Sequence, residues 1–334
     1  MDSLSQIVLG ASVAEAFVGR KVGNKAIVWG AIAGTIPDLD VLLRPFLSPV
    51  EELIYHRSFS HSIILFIFLA PALGWLIKKI HEKDNATFWD WTVASFFCFF
   101  THSILDCFTT WGTQLFWPLP HRIAFQSIFV IDPLYTLPFL GFLIAAMCYR
   151  KDQKLRKKLN LIALILSSSY LIFTLVNKFL IYQDYKQDLV ENHRDYLNLS
   201  VRPAPLQNFL WTANIELENH FLISYQSLLR DEKFVYDTIP KNHHLLQSYT
   251  HHKDVQTLIF MCNGLYTVQK KGNDLIFNDL RFGQVLGWRE KKGPFAFSYL
   301  LKKKQNNKIE VSKIEIDRNN FQYGDVLLSI WDRI

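Results

Sequence analysis

The feature that most constrains this chain is a series of apolar stretches approaching the length of a lipid bilayer, all within the first 182 residues. A helix needs about 20 mainly apolar residues to cross the hydrocarbon core. Residues 159–177 carry no charge, and the apolar character continues to Tyr182 with Lys178 as the one exception. Residues 133–149 are uncharged and reach spanning length when 128–132 are added. Residues 62–77 are uncharged, as are 91–105 apart from His102. Two earlier stretches, 3–14 and 26–37, are shorter and rich in Gly and Ala, which suits close helix packing. The sequence thus predicts six membrane helices, near 4–19, 26–43, 62–79, 88–108, 128–149 and 158–182. No cleavable signal peptide is expected, because Met1-Asp2-Ser3 lacks a basic lead-in.

Residues 183–334 are different: polar, mixed in charge, and rich in Asn, Gln and Lys. The fold class expected is an α-helical polytopic membrane domain followed by a small, mainly β extramembrane domain. The boundaries are 1–182 for the membrane domain, 183–202 for a linker helix leaving the membrane, and 203–334 for the β domain. Strand-like runs lie at 220–225, 257–261, 265–268, 308–316 and 325–331, with hairpin signals at Gly264, Gly272-Asn273-Asp274 and Asn278-Asp279. Composition excludes a disordered, collagen-like or disulfide-scaffold protein. Cys262 is the only cysteine of the polar half, so packing alone must hold that domain.

The net charge of +6 does not point to nucleic acid, because no arginine-rich groove or recognised motif accompanies it. Basic residues instead gather at the ends of apolar runs: Arg20, Lys21 and Lys25; three lysines in 78–83; and Arg150, Lys151, Lys154, Arg156, Lys157 and Lys158 against Asp152. All three connections fall on one side of a six-helix count, which the positive-inside rule makes cytoplasmic. The N-terminus, the 44–61 and 109–127 loops, and everything after Tyr182 are then expected outside. His243-His244 and His251-His252 read as solvated loop histidines, and Lys291-Lys292 and Lys302-Lys303-Lys304 as solvated turns or contacts to anionic head groups.

Ionisable groups inside a membrane domain are informative because lipid tolerates them poorly. Asp38 and Asp40 close the second predicted helix, and His56, Arg57 and His61 precede the third. His102 and Asp106 sit near the end of the fourth, and Asp132 opens the fifth. All fall at the expected outer end. His102 and Asp106 are spaced i, i+4 and share a helix face. Imidazole with carboxylate suits zinc, manganese or iron better than magnesium or calcium. His56 and His61 converge only if His56 lies in a loop, and Asp132 before Pro133 also fits a helix N-cap. Gln6 and Glu15 read equally as supporting or structural residues.

Pro37-Asp38-Leu39-Asp40, His56-Arg57-Ser58-Phe59-Ser60-His61-Ser62 and Thr101-His102-Ser103-Ile104-Leu105-Asp106 resemble the motifs of the YdjM-like family. The run from Phe108 through Gly112 to Pro118, and then Asp132-Pro133-Leu134, is similar as well. The likeness covers roughly residues 1–180. It implies a protein of the bacterial inner membrane, predicted to be a metal-dependent hydrolase, with a metal site built from these His and Asp residues. Many relatives have a histidine where this chain has Gln6, a weaker ligand for a borderline metal.

The function expected is hydrolysis of a phosphoester or lipid-linked ester by metal-activated water. The metal, zinc or manganese, would be held by His56, His61, His102, Asp106, Asp38, Asp40 and Asp132. Asp38 and Asp40 serve as spare bases in this reading, and Arg57 as a phosphate partner. The alternative is a non-catalytic membrane protein with a structural metal site and a partner- or polymer-binding β domain. The lipid bilayer is the one surrounding partner expected, with no nucleic acid; the sequence names no protein partner.

Overall fold

A computed structural model of the chain describes residues 1–230, 232–289, 293–304, 309–316 and 328–334. The chain divides into two compact units: Met1–Pro45 with Tyr55–Val176 and Pro205–Gln207, and Phe46–Ile54 with Asn177–Ala204 and Asn208–Ile334.

The first unit is helical. It contains α1 (Ser3–Val22), α2 (Asn24–Thr35), a 3-10 helix (Pro37–Phe46, which ends just past the unit), α4 (Ile63–Ile80), α5 (Phe88–Cys107), α6 (Pro133–Met147) and the first part of α7 (Lys154–Glu191). The short α3 (Pro49–Tyr55) falls almost wholly in the second unit. Local chemistry sets the helix starts. Asp2 caps α1, Ser62 caps α4, and Thr87 with Asp90 forms a reciprocal capping box on α5. Asp132 accepts from the amides of Leu134 and Tyr135 and caps α6, with Pro133 in the first turn.

Small residues let α1 and α2 touch backbone to backbone. A Cβ on Gly30 would overlap the Gly10 carbonyl oxygen and lie 2.9 Å from Ala11 Cα. This approach brings the start of α1 beside the end of α2, where Gln6 and Gly34 sit.

Length and apolarity single out α4 and α7 as candidate membrane spans among the described residues, with α2 and the 3-10 helix, bent by 41°, as a third if they form one broken span. The six expected segments all contain helix, yet α1, α5 and α6 do not meet the same standard. The reason differs among them. On α1 and α5 the polar groups that lower mean hydropathy are turned inward: Ser5, Gln6, Ser12, Glu15, His102 and Asp106 are all buried. The third, α6, has only 15 residues.

Two of those inward groups are strongly paired. Glu15 makes a two-pronged ion pair with Arg156 (2.6 Å for both bonds), and Ser12 exchanges hydrogen bonds with Asn160. Arg156 is therefore a buried partner of α1 and not one of the surface charges that mark the 150–158 connection. The remaining basic connections meet at the far end of α1 from Met1. Lys21 pairs with Asp90, Lys25 with Asp84, and Lys151 donates to the Lys21 carbonyl.

The second unit holds two four-stranded antiparallel sheets, in the orders β1-β2-β3-β4 and β5-β6-β7-β8. The strands are β1 (Asn198–Pro203), β2 (Leu210–Glu216), β3 (His220–Ser227), β4 (Asp237–Pro240), β5 (Tyr266–Lys271), β6 (Asp274–Gln284), β7 (Phe295–Lys303) and β8 (Ile309–Ile314). The end of α7 packs Ile181, Tyr185 and Leu189 against Val201, Trp211, Ala213 and Ile215 of the first sheet. Asn214, on the opposite face of β2, donates to the Leu280 carbonyl of β6 (2.7 Å).

Three local expectations are corrected here. Residues 257–261 belong to a helix, α8 (Lys253–Met261), which buries Val255, Leu258 and Met261 at threefold spacing. A five-residue apolar run is ambiguous between helix and strand, and the buried positions decide. Asn278-Asp279 form no hairpin: both lie inside β6, where Asn278 pairs across to Thr267 and Ser298 and Asp279 is held by Arg281. Of the expected strand 325–331, residues 328–331 are helical and 325–327 lie outside the described residues. Lys291-Lys292 lie outside them too.

Gly30→Val should lower the melting temperature of the detergent-solubilised protein, with a loss of about 1–3 kcal/mol from forced overpacking. Gly141→Ala, whose added Cβ meets nothing within 4 Å in the interior of α6, should not lower the melt. Thermal unfolding of the two variants side by side checks the close α1–α2 contact.

Candidate metal centre

The centre forms where the end of α2, the start of α4 and the end of α5 come together. Asp38 lies one residue into the 3-10 helix that follows α2, and His61 closes the 3-10 turn Phe59–His61 before α4. His102 and Asp106 lie one helical turn apart on α5. One ligand atom from each of Asp38, His61, His102 and Asp106 falls within 4.8 Å of all the others.

Five of the six separations inside this group fall between 3.2 and 3.6 Å, and the sixth, between the oxygens of Asp38 and Asp106, is within 4.8 Å. His61 Nε2 is 3.2 Å from His102 Nε2, 3.3 Å from Asp38 Oδ1 and 3.2 Å from Asp106 Oδ2. His102 Nε2 is 3.6 Å from Asp38 Oδ1 and 3.5 Å from Asp106 Oδ2. Donors placed about 2.0–2.1 Å from a common tetrahedral centre stand roughly 3.3–3.4 Å apart. The group therefore has the dimensions of a four-coordinate cation site.

Hydrogen bonds behind the rings fix which nitrogen faces inward. His102 Nδ1 lies 2.7 Å from the Gly34 carbonyl oxygen, which can only accept, so Nδ1 carries the proton. Gly34 is available because α2 ends one residue later and leaves its last carbonyls without helical partners. His61 Nδ1 lies 2.9 Å from Ser60 Oγ, whose own proton goes to Asp40 Oδ2 (3.0 Å), so this Nδ1 is also the donor. In the neutral rings both Nε2 atoms thus turn lone pairs toward each other and toward two carboxylates. Asp38 Oδ1 accepts no hydrogen bond, and Asp106 Oδ2 has the Arg57 guanidinium Nε beside it at 3.0 Å without hydrogen-bond geometry. With both rings neutral, four acceptors converge here, and these residues can hold a cation.

Further side chains hold the ligands in place. Arg57 puts Nε 3.0 Å from Asp106 Oδ2 and donates from Nη1 to Thr109 Oγ1 (2.9 Å). Thr109 in turn donates to the Asp106 carbonyl. Gln6 donates from Nε2 to Asp106 Oδ1 (3.1 Å) and to the His102 carbonyl (3.2 Å). The Met1 ammonium also pairs with Asp106 Oδ1. Gln6 thus orients Asp106 and stands outside the four ligands.

The other expected ligands lie elsewhere. Asp40 organises the 56–61 turn: it accepts from the Arg57 amide (2.8 Å), which has a left-handed φ of 55°, from Ser60 Oγ and from His56 Nδ1 (3.2 Å). Burial pushes the His56 imidazole below its ordinary pKa, and Asp40 opposes that shift. Asp132 caps α6 and accepts from the Tyr170 hydroxyl (2.9 Å). Ser60, Thr109 and the Gly34 carbonyl complete the centre without having stood out in the sequence, and a backbone oxygen leaves no residue-type signal there.

The sequence pattern described as YdjM inner membrane protein matches residues 1–180, more than half of the chain. No curated protein and no solved structure matches it.

Elemental analysis of the purified protein should find about one divalent ion per chain, and His61→Ala and His102→Ala should each bring the content to background. Gln6→Ala should keep the ion with affinity lowered by about 10–100-fold, as expected for a group that orients a ligand. Equal metal content in all three variants would rule out this centre.

Proposed function

The protein belongs to the YdjM inner membrane protein family, and on that footing we propose that it is a membrane-bound metal-dependent hydrolase. The observation that carries this reading is that one of the four ligand residues, Asp38, borders a cavity of about 360 Å³, although its ligand oxygen is itself buried. The side chains of His61, His102 and Asp106 are fully buried, whereas that of Asp38 is 22% exposed. Structural zinc sites fill four positions with protein ligands and catalytic ones leave one to water, so in this reading Asp38, the ligand at the cavity, would give its place to water. The cavity beside Asp38 favours catalysis over the purely structural alternative.

Zinc is the ion that the donor types and tetrahedral spacing favour, with manganese second. A divalent ion held there would lower the pKa of water and polarise an ester oxygen. The chain's own residues would supply the rest. Asp38, whose Oδ2 is not turned into the group, would accept the proton released by water. Asp40 is already committed to three donors and would serve by holding the 56–61 turn. Arg57 would keep Asp106 ionised and oriented while bordering that cavity.

Six inserted helices are proposed, because the polar residues of α1 and α5 face inward and need not meet lipid. The basic connections lie at the far end of α1, about 30 Å away by helical rise, from the Asp106 contact at its start. The positive-inside rule then supports a multi-pass protein with the metal centre on the extracytoplasmic side. The β domain following α7 would lie on that side as well.

Removing the ion with a chelator should abolish turnover of a panel of carboxyl esters and phosphoesters, and added zinc or manganese should restore it. The melting profile should still show folded protein after chelation. Turnover that survives both chelation and His102→Ala would overturn the assignment, as would unfolding on chelation with no turnover in the loaded protein.

A further inference from the structure

The imidazole of His56 lies outside the four-ligand group but borders the same cavity as Asp38. Its side chain is 17% exposed, and its Nδ1 lies 3.2 Å from Asp40 Oδ1. A carboxylate oxygen can only accept, so Nδ1 carries the ring proton. Asp40 is itself held in place. Its Oδ2 accepts from the Arg57 amide (2.8 Å) and from Ser60 Oγ (3.0 Å), which leaves Oδ1 to the ring. Trp111 packs edge-on to the same ring, with centroids 5.5 Å apart. Position and tautomer of the ring are therefore fixed. Nε2, on the far side, keeps a lone pair and has no hydrogen-bond partner among the described residues.

We propose, resting on the hydrolytic reading above, that His56 carries the proton to the departing alcohol and that Asp40 is its positioning residue. Hydrolysis of an ester moves a proton twice: off the attacking water, and onto the leaving oxygen. Asp38 serves the first transfer, and the second needs a group that can both take and give a proton. Of the other ionisable groups on the cavity wall, Arg44 and Arg57 keep their protons near neutrality. Asp2 is the cap of α1, and the Met1 ammonium is paired with Asp106. His56 is left. A cavity of about 360 Å³ holds one small ligand, so an ester bound there lies against both Asp38 and His56.

In the reaction, water oxygen bonds to the carbonyl carbon or phosphorus of the ester, and the proton it sheds goes to Asp38. That proton crosses the cavity to His56 Nε2, and the imidazolium is held against the Asp40 carboxylate, which stabilises it. The ester bond then breaks, its electron pair leaves with the alcohol oxygen, and Nε2 returns the proton to that oxygen. Asp38 and His56 end as they began. Burial keeps the resting ring neutral, so it starts able to accept.

The test uses the full chain in detergent, saturated with zinc. Its probes are paired esters that differ only in the leaving group, ethyl or 4-nitrophenyl, made both as carboxyl esters and as phosphodiesters. A 4-nitrophenolate departs as an anion and needs no proton, whereas ethoxide needs one. His56→Ala should lower turnover of the ethyl ester by about 100-fold or more and of its 4-nitrophenyl partner by less than about tenfold, the scale of one acid–base group. The variant should keep its zinc and its melt, and added imidazole should recover part of the ethyl-ester loss. Asp40→Asn presents an amide to Nδ1 and reverses the tautomer, so it should show the same leaving-group bias. Apart from turnover, diethyl pyrocarbonate should modify His56 in the zinc-loaded protein, read by peptide mass spectrometry, because its Nε2 is open and unprotonated. Equal losses on the paired esters in His56→Ala, or zinc lost with the side chain, would overturn this role and leave the hydrolase standing. So would a His56 that stays unmodified while the exposed His121 reacts. Equal losses in zinc-loaded Asp40→Asn would overturn the positioning role of Asp40. If the unaltered protein turns over no ester in a chelator-sensitive way, the hydrolase itself fails, and the proton carrier with it.

Discussion

Two imidazole nitrogens that, in neutral rings, face each other with lone pairs beside two carboxylate oxygens repel one another unless positive charge, a proton or a metal ion, lies between them. That constraint organises the helical unit. The four donors come from three separate stretches of chain, 37–46, 59–61 and α5, so a cation among them would tie those ends together. Supporting groups are arranged to the same end. Asp106 alone draws Arg57, Gln6 and the Met1 ammonium, which offsets the cost of burying its charge. Because the ligands must shed protons to bind, metal loading and folding of this end of the bundle would be coupled.

Part of the centre is visible in the sequence. The i, i+4 spacing of His102 and Asp106 puts both on one helix face wherever that helix goes, and His61 and Asp38 occur at the ends of neighbouring apolar runs. What spacing cannot settle is which polar residue of a cluster turns inward. Asp38 and Asp40 look interchangeable as a pair. In a 3-10 helix, however, residues two apart point in different directions, so only Asp38 reaches the group and Asp40 turns to the 56–61 loop. The same turn, with Arg57 at positive φ, directs His61 inward and leaves His56 against Asp40. Arg57 reads as a phosphate partner by type. Its Nε and Nη1 are instead taken by Asp106 and Thr109.

The β domain shows the same limit for another reason. Along β2 the sequence alternates apolar and polar, with Trp211, Ala213 and Ile215 toward α7 and Asn214 toward β6; both sets are buried, which the alternation alone does not reveal. Hairpin residues mislead similarly: Asn278 and Asp279 are turn formers by propensity, but Ser298 Oγ and Arg281 give them partners inside a strand.

Mean hydropathy is low on α1 and α5 because it counts a polar group without asking which way it faces. Glu15 is the sharpest case: alone it would exclude α1 from a membrane, yet Arg156 meets both of its oxygens, and the pair presents no net charge to its surroundings. The same pairing takes Arg156 out of the count of charges that orient the chain. Arg150, Lys151, Lys154, Lys157 and Lys158 remain against Asp152 in that connection. The asymmetry that supports an extracytoplasmic metal centre therefore does not depend on Arg156, and the residue that weakens one sequence reading, the apolarity of α1, leaves the other intact.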